Sequence, residues 1–243
     1  MNIITIFILN IFDFFTKKKI LKELNKIFFN KKIDIFFDVG AYHGDVTFEL
    51  IKNFEISKIY AFEPNEESFD KLKKKVESKD SYKKNILIFN FGIGLKDEEK
   101  KLKHTLETSS STLNEINLES KYFKKKRRLF NMFGNKSFFL EKTIRLINLE
   151  KFLLTERLKH INFLKIDTEG YEYQVLLSLG NKLEDVDVIH FEHHYDNMLI
   201  KNYKFNDIHN LLVKKKFKSI YKTKMFFRKS FEYIYVNKKF LNE

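Results

Sequence analysis

The sequence predicts an α/β domain built on a mostly parallel sheet. Short apolar runs alternate with helical patterns along the chain, and the first two runs end at turn signals, Gly40 after IDIFFDV and Glu63-Pro64 after SKIYAF. Strands that alternate with helices in this way pair in parallel, because each crossover helix returns the chain to the same edge of the sheet. The length of 243 residues suits one such domain.

Continuous apolar runs predict buried strands, and apolar residues that recur every three or four positions predict helices. The predicted strands span residues 33–39, 57–62, 85–91, 141–148, 161–166, 186–191, 217–222 and 231–237. The predicted helices span residues 17–29, 46–54, 66–77, 149–158, 171–179 and 205–215. The last two strands lie close enough in sequence to form an antiparallel pair.

The composition excludes several kinds of chemistry. The chain has no cysteine, which excludes disulfides, thiolate–zinc sites and a cysteine nucleophile, and which fits a cytoplasmic location. Its formal net charge is +13, from 46 Lys and Arg against 33 Asp and Glu. That charge indicates either a partner with phosphates or anionic lipid, or a general bias towards Lys, Asn, Ile and Phe; the composition favours the bias.

Residues 1–30 are predicted to form an N-terminal helical extension to a domain of residues 31–243. The apolar stretch from Ile3 to Phe15 is interrupted by Asn10 and Asp13, so it is too short to span a bilayer, and it lacks the basic start of a signal peptide. Two interpretations stay open for it: an amphipathic helix packed on the domain, or one in peripheral contact with a membrane surface.

Residues 114–140 interrupt the alternation of strands and helices. They carry few signals of either kind and contain the basic run KKKRR at Lys124–Arg128. We expect an insertion or mobile flap over the site. Ser110 and Ser111 stand just before this segment, in a run of hydroxyl side chains that either orients a substrate or forms an ordinary serine turn.

The segment DVGAYHG, from Asp38 to Gly44, predicts a ligand-binding turn after the first strand. Gly40 lets the backbone turn tightly and approach a ligand, and Gly44 does the same where the next helix begins. Two glycines also suit a plain structural turn, and they do not form the GxGxxG turn that a NAD-dependent oxidoreductase needs. Asp38 is expected either to hold a ligand's ammonium group or to order the loop.

Glu63 strengthens the interpretation of the turn as a binding site. It lies at the end of the second strand, nineteen residues after Gly44. An acidic residue there can accept hydrogen bonds from both ribose hydroxyls of an adenosine ligand. A turn with only two glycines suits an adenosine ligand that has no phosphate.

Five segments, in order, resemble the FkbM family of S-adenosylmethionine-dependent methyltransferases. The segments are DVGAYHGD, AFEPNEESFDKLKKKV, SSSTL, INFLKIDTEGYEYQVL and IHFEHH, and they run from about Ile33 to His194. The resemblance implies a Rossmann-like class I methyltransferase fold, with a mostly parallel seven-stranded sheet and an antiparallel C-terminal strand. It implies S-adenosylmethionine as the cofactor and O-methylation of a hydroxyl on a sugar, polysaccharide or natural product. Two departures concern the substrate pocket: Asn148 stands near the family's Asp, and residues 114–140 are longer than usual.

By matching position, the resemblance implies that Asp38, Gly40 and Glu63 contact the cofactor. Their neighbours are expected to complete the cofactor site: Ala41, Gly44, Pro64 and Asn65. The same matching places Asp167 and Glu169 at the end of a strand, beside the methyl group.

A hydroxyl acceptor is a poor nucleophile and gains from a nearby base. Asp167 is the first candidate for this base, because it ends a strand on the ligand edge; its alternative roles are cofactor binding and helix capping. His193 is the second candidate. Glu169 and Glu192, with Ser110 and Ser111, are expected to bind the substrate.

His190, Glu192 and His194 alternate along one predicted strand, so they share a face and raise the question of a metal. The family resemblance implies none, and we expect no metal. The acceptor is expected to be a small molecule or a glycan, and the sequence does not predict the oligomeric state.

Two other functions stay open at this stage. An RNA ribose 2′-O-methyltransferase would use the basic charge, although base methylation is disfavoured because Pro64 is the only proline and cysteine is absent. A non-catalytic cofactor-binding module would keep the fold without the chemistry, but the presence of Asp38, Glu63 and Asp167 argues against such a loss.

Overall fold

The computed structural model describes residues 3–105, 111–130, 139–226 and 228–241. In chain order its elements are α1 (Ile3–Ile27), β1 (Ile33–Val39), α2 (Asp45–Asn53), β2 (Ile56–Phe62), α3 (Glu66–Glu77), α4 (Asp80–Asn85), β3 (Ile86–Phe89), β4 (Gly92–Gly94), β5 (Glu98–Thr105), β6 (Ser111–Thr112), β7 (Glu115–Ile116), α5 (Lys121–Phe130), β8 (Phe139–Asn148), α6 (Leu149–Thr155), β9 (Ile161–Ile166), α7 (Glu172–Ser178), a short 3-10 helix (Gly180–Asp185), β10 (Val186–His194), β11 (Leu199–Ile200), α8 (Phe205–Lys214), β12 (Phe217–Lys224), β13 (Ser230–Asn237) and α9 (Lys238–Leu241).

The main sheet has seven strands in the order β12-β13-β10-β9-β1-β2-β3. Neighbouring strands from β10 to β3 pair in parallel, whereas β13 pairs antiparallel with both β10 and β12. The C-terminal strand β13 is therefore the antiparallel strand of this sheet. This confirms the predicted fold class, a Rossmann-like sheet that is mostly parallel with an antiparallel C-terminal strand.

Helices cover the two faces of the sheet, and each face has its own core. One core packs α6, α7 and α8 against inward side chains such as Phe37, Phe62 and Phe191. The other packs α1, α2, α3 and α9 against side chains such as Phe36 and Phe163. Because both faces are covered, the central strands are apolar along almost their whole length.

A second, four-stranded sheet has the order β4-β8-β5-β6 and takes in the predicted strand 141–148. The sequence of β5, EEKKLKHT, is mostly charged and contains a single apolar residue, so hydrophobicity does not predict a strand here. It pairs antiparallel with β8 and buries Leu102. Pairing with a neighbour, and not local hydrophobicity, therefore determines this strand.

The described part of residues 114–140 has more regular structure than the sequence predicts. β7 pairs antiparallel with β11, and α5 begins after Ser120, whose hydroxyl accepts a hydrogen bond from the backbone N–H of Phe123 at 3.0 Å. Phe123 is buried. The segment is thus anchored to the domain by a strand pair and by an aromatic side chain.

The N-terminal region forms one helix, α1, which runs from Ile3 to Ile27. Ile20 and Leu24 of α1, followed by Phe28, belong to the same core as the sheet residues Phe36 and Phe163. The second half of α1 is therefore part of the domain that the sequence places at residues 31–243. None of the helices in the described part of the chain combines the length and the apolar character that a bilayer crossing requires.

We expect Leu24→Ala to lower the free energy of unfolding of the whole domain by about 2–5 kcal/mol, because it removes a buried side chain and leaves a cavity. Leu24 is 2% exposed, whereas Phe29, just after the helix, is 73% exposed. Phe29→Ala is therefore the matched control, with an expected change within about 0.5 kcal/mol. Urea unfolding measures both, and equal stabilities for the two variants would show that α1 does not unfold together with the sheet.

Candidate functional site

The glycine turn after β1 packs directly against the end of β9. Gly40 has a φ of 79°, in the left-handed region, and a Cβ atom there would lie 1.9 Å from the carbonyl oxygen of Asp167. Both the sign of φ and the lack of space require glycine. The N–H groups of Gly40 and Ala41 donate to the carbonyl of Phe62, each at 3.0 Å. The ends of β1, β2 and β9 therefore meet at this turn.

Glu63 holds the far side of the turn. Its Oε2 accepts a hydrogen bond from the N–H of Tyr42 at 2.8 Å, and its Oε1 accepts one from the N–H of Asn65 at 2.8 Å. Burial raises the pKa of Glu63 to about 7. Each carboxylate oxygen has a second lone pair, so the group can still accept a hydrogen bond from a ligand hydroxyl.

Asn65, predicted to contact the cofactor, caps the helix that follows. Its side chain accepts a hydrogen bond from the N–H of Ser68 at 3.2 Å, and it fixes the start of α3. Pro64 stands between Glu63 and this cap. Glu63, Pro64 and Asn65 thus connect the end of β2 to the start of α3.

Lys165 is the central cation of the site, and it is not among the site residues predicted from the sequence. It lies on β9 opposite Asp38 of β1, and its Nζ is 3.0 Å from Asp38 Oδ1, 3.0 Å from the Gly40 carbonyl oxygen and 3.5 Å from Asp167 Oδ2. Burial lowers the pKa of Lys165, but the carboxylates of Asp38 and Asp167 outweigh burial and raise it above its ordinary value. A lone lysine within the apolar run INFLKI is the signal that could have identified it.

Asp38 is committed to groups of the chain itself. Its Oδ2 accepts a hydrogen bond from the hydroxyl of Thr47 at 2.5 Å, and its Oδ1 faces Lys165. Asp38 is 0% exposed. Of its two predicted roles, ordering of the loop is the one this geometry supports.

Several acidic side chains gather at the edge of the sheet beyond the turn. We call Asp167, Glu169, Glu192 and Glu232 the carboxylate cluster. His194 Nε2 lies 3.2 Å from Glu169 Oε2 and 3.6 Å from Glu192 Oε1. His190 Nε2 lies 2.9 Å from Glu232 Oε2. The predicted alternation of His190, Glu192 and His194 along β10 therefore brings all three into one acidic network.

Several groups of this network have pKa values that are raised from their ordinary values. Burial raises the pKa of Glu192 to about 8, against the opposing effect of His194. Burial also raises the pKa of Asp167, against the opposing effect of Lys165. Burial alone would lower the pKa of His194, but Glu192, Asp196 and Glu169 hold it well above its ordinary value. The cluster can therefore take up or release a proton near neutral pH.

A cavity of about 160 Å³ lies between α1, α2 and the sheet. Apolar side chains from both the helices and the sheet line it, together with polar side chains from the strands and the end of β9: Lys165, Asp167, His190, Glu192 and Glu232. Arg228, which precedes β13, also lines the cavity and bonds to Asp13 of α1, with 2.8 Å between Arg228 Nη2 and Asp13 Oδ2. The cavity thus joins the carboxylate cluster to the N-terminal helix.

The loop after β9 is shaped by Glu172. Glu172 is 1% exposed, and its Oε1 accepts a hydrogen bond from the N–H of Gly170 at 2.7 Å. The hydroxyl of Tyr203 donates to Glu172 Oε2 at 2.7 Å. Glu172 therefore orders the loop that carries Glu169, whose φ is 49°.

The structure does not bring His193 to the cavity. On a strand, neighbouring side chains point to opposite faces, so His193 points away from the face of Glu192 and His194. Its ring packs against Tyr195 and Phe205, with centroid distances of 4.8 Å and 5.6 Å. Burial lowers the pKa of His193 to about 3. This residue is neutral at physiological pH and lies in the core on the other side of the sheet.

Of the two serines expected to bind the substrate, only Ser111 belongs to the described residues, and its hydroxyl faces a histidine of the second sheet. Ser111 lies on β6 of the second sheet, with its Oγ 2.8 Å from His104 Nδ1, and Ser110 lies outside the described residues. The adjacent Thr112 does reach the loop after β9, since its hydroxyl donates to the carbonyl oxygen of Glu169 at 2.8 Å. Thr112 is therefore the hydroxyl residue that this segment contributes to the site region.

Within the part of the chain that the structure describes, no three or more His, Asp or Glu side chains are arranged to hold a metal ion. The acidic network instead pairs each of its histidines with carboxylates.

Comparisons with known proteins agree with the fold. The family model "Methyltransferase FkbM domain" matches residues 38–219, about three quarters of the chain. The fold is similar to that of the methyltransferase FkbM from Methylobacillus flagellatus KT, with a TM-score of 0.51 and 12% identity over 84% of this chain and 44% of that one. The present chain thus spans less than half the length of that protein.

The fold is also similar to magnesium protoporphyrin IX methyltransferase (ChlM) from Synechocystis PCC 6803, which was solved with bound SAM. The TM-score is 0.51, with 8% identity over 98% of this chain and 85% of that one. No curated protein sequence matches the chain significantly.

We expect Lys165→Met to lower the free energy of unfolding by about 3–5 kcal/mol, because it leaves the buried charge of Asp38 without its cation. The matched control is Lys151→Met. Lys151 pairs with Asp97 at 3.2 Å but is exposed, so its loss is expected to cost about 1 kcal/mol or less. Urea unfolding of both variants tests this, and a loss for Lys165→Met no larger than for the control would contradict it.

Proposed function

Because this chain belongs to the FkbM methyltransferase family, we propose that it transfers the methyl group of S-adenosylmethionine to a hydroxyl of a sugar, polysaccharide or natural product. The main support is the buried carboxyl of Glu192, which lines the cavity beside the glycine turn and whose pKa burial raises to about 8. A group of this kind can remove the proton of a hydroxyl at physiological pH.

The residues at the turn fit an adenosine ligand. Glu63 is oriented by the N–H groups of Tyr42 and Asn65, and it retains lone pairs that suit ribose hydroxyls. Gly40 and Gly44 both have positive φ, which keeps the turn short and its backbone accessible to a ligand. S-adenosylmethionine carries no phosphate, so a turn without a third glycine suits it.

The charge of the cavity wall fits the same cofactor. S-adenosylmethionine, when bound, supplies an electrophilic methyl group on a positively charged sulfonium. Five carboxyl groups line the cavity, those of Asp13, Glu49, Asp167, Glu192 and Glu232, against three cations, Lys17, Lys165 and Arg228. Lys165 is paired with Asp38 and Asp167, and Arg228 is paired with Asp13. A wall of this charge attracts a cationic ligand.

Glu192 is better suited than Asp167 to serve as the base. Asp167 faces the ammonium of Lys165 at 3.5 Å, and this cation stabilises its anion and weakens it as a proton acceptor. Glu192 faces the imidazole of His194 at 3.6 Å instead of a lysine, and burial outweighs this neighbour and raises the pKa of Glu192 to about 8. We therefore assign proton removal to Glu192 and orientation of the acceptor hydroxyl to Asp167.

The remaining residues of the site position the reactants and exclude water. Lys165 holds the glycine turn and Asp167 in one arrangement, and α1 covers the cavity through the contact of Asp13 with Arg228. Fixed positions of this kind supply much of the rate of a bimolecular displacement, because the entropy of alignment is lost on binding and not in the reaction.

Calorimetric titration with S-adenosylmethionine tests the cofactor assignment. We expect saturable binding, and we expect Glu63→Ala to weaken it about 10- to 100-fold, because the ribose hydroxyls lose a charged acceptor. Glu67→Ala is the control, since Glu67 lies on α3 and pairs with Lys71 at the surface. An absence of heat at millimolar cofactor would remove the methyltransferase proposal.

Methyl transfer from S-adenosylmethionine labelled in its methyl group, offered to a panel of free and polymeric sugars, tests the acceptor. We expect label in an alkali-stable ether on a sugar oxygen. With the best acceptor of the panel, kcat/KM should rise with pH and level off above about 8, because Glu192 must lose its proton to act as the base. Glu192→Gln should lower kcat about 10²- to 10⁴-fold and abolish this pH dependence.

His193→Phe is the control for this experiment, because His193 lies on the same strand but in the core on the other face. It should leave both kcat and the pH profile unchanged. Transfer of label to RNA ribose, with binding that weakens steeply as salt rises, would instead establish the nucleic-acid alternative. A pH profile that Glu192→Gln does not alter would remove Glu192 from the role of base.

A further inference from the structure

Three exposed phenylalanines from two distant parts of the chain form one surface. Phe14 and Phe15 of α1 are each 52% exposed, and Phe226, in the loop between β12 and β13, is 40% exposed. The ring of Phe226 packs on Phe12 of α1, with 4.6 Å between centroids. Lys19 of α1 also lies over the ring of Phe226, with its Nζ 5.6 Å from the centroid. The loop and the helix are therefore one continuous surface.

Lysines surround these rings. Lys18 lies over Phe14, with its Nζ 4.5 Å from the ring centroid. The exposed lysines next to the rings are Lys17, Lys18, Lys19 and Lys22 on α1, with Lys224 and Lys229 in the loop region. Within the described residues, none of these six forms a salt bridge, whereas Lys26, further along α1, pairs with Glu23 at 2.7 Å. We call the three phenylalanines and these six lysines the aromatic–lysine surface.

We propose that the aromatic–lysine surface binds the protein to an anionic lipid bilayer. Aromatic rings insert at the boundary between headgroups and acyl chains, and lysines keep their alkyl stems on apolar surface while their ammonium groups reach the lipid phosphates. Each lysine near an anionic leaflet strengthens binding, and a lysine outside any salt bridge does so without first breaking one. The exposed rings fit the acyl boundary of an anionic bilayer, and the positive charge fits its phosphates.

Towards the start of α1, the sequence is also mostly apolar. From Ile3 to Phe15 the helix carries apolar residues at all but three positions, which are Thr5, Asn10 and Asp13. The next turn carries Lys17, Lys18 and Lys19. An apolar segment next to a basic turn adds surface that contacts both the acyl chains and the anionic headgroups of a bilayer.

The membrane surface and the cavity share one helix. Asp13 and Thr16 of α1 line the cavity, and Phe14, Phe15 and Lys18 lie on the exposed side. Lys17 is exposed and also lines the cavity, so it stands at the boundary between the two. Docking through the exposed side would bring the cavity within about one helix diameter, roughly 10 Å, of the lipid headgroups. An acceptor held at the membrane would then reach the carboxylate cluster without leaving the surface.

Vesicle co-sedimentation of the full chain tests the proposal, and it requires no methyl transfer. We expect binding to phosphatidylcholine vesicles that contain phosphatidylglycerol, and little binding to phosphatidylcholine alone. The double variant Phe14→Ser/Phe15→Ser should lower the partition coefficient about tenfold or more, because it removes the inserted rings. Lys18→Glu/Lys19→Glu should lower it at least as much, and the binding of the unmodified chain should weaken as salt rises.

Matched controls separate the surface from general effects of charge and hydrophobicity. Phe29→Ser removes an exposed ring outside the surface, and Lys159→Glu/Lys214→Glu changes the charge equally on the side of the sheet that α6 and α8 cover. Both should bind vesicles like the unmodified chain. Failure of that chain to bind, or equal binding by Phe14→Ser/Phe15→Ser, would overturn the proposal. So would a dimer that this double variant dissociates, since the surface would then belong to a second copy.

Discussion

The buried ammonium of Lys165 is the interaction on which the site depends. It contacts the carbonyl of Gly40 and the carboxylates of Asp38 and Asp167, so one cation ties the turn after β1 to the end of β9. A buried lysine is costly unless its charge is paired and its hydrogen atoms find acceptors. Here three acceptors meet that requirement, and each of them belongs to the edge of the sheet where the ligand is expected. The same contacts that make the charge tolerable therefore hold the turn and the adjacent carboxylate in a single arrangement.

The surplus of carboxylates around this cation explains the chemistry that we propose. Lys165 neutralises part of the acidic edge, but the buried Glu192 and Glu232, whose side chain is 12% exposed, add further acidic groups. Burial raises the pKa of Glu192 to about 8, and the carboxylates of Glu232 and Asp167 act in the same direction. A cationic cofactor relieves the same repulsion. One electrostatic feature thus favours both the binding of a sulfonium and the removal of a proton from a hydroxyl.

Helix α1 connects the core, the cavity and the surface of the molecule. Its inward positions Ile20 and Leu24 belong to the core, Asp13 and Thr16 line the cavity, and Phe14 and Phe15 are exposed. These roles follow from helical periodicity, because positions three or four apart share a face while adjacent positions do not. A change in how α1 packs would therefore alter both the cavity and the aromatic–lysine surface.

The sequence by itself determined the seven strands of the main sheet in chain order, most of the helices that cover it, the glycine turn and Glu63. Those features are local: apolar runs predict strands, positive φ requires glycine at Gly40, and an acidic residue at a strand end follows from spacing alone. The tertiary structure decided which side chains meet. It joined Lys165 to Asp38 across two strands far apart in sequence, made Glu192 a stronger candidate base than Asp167, and directed His193 into the opposite core. It also formed β5 from a charged segment. The physical reason is that pairing register and strand alternation determine contacts and burial, and these depend on neighbours that the local sequence does not specify.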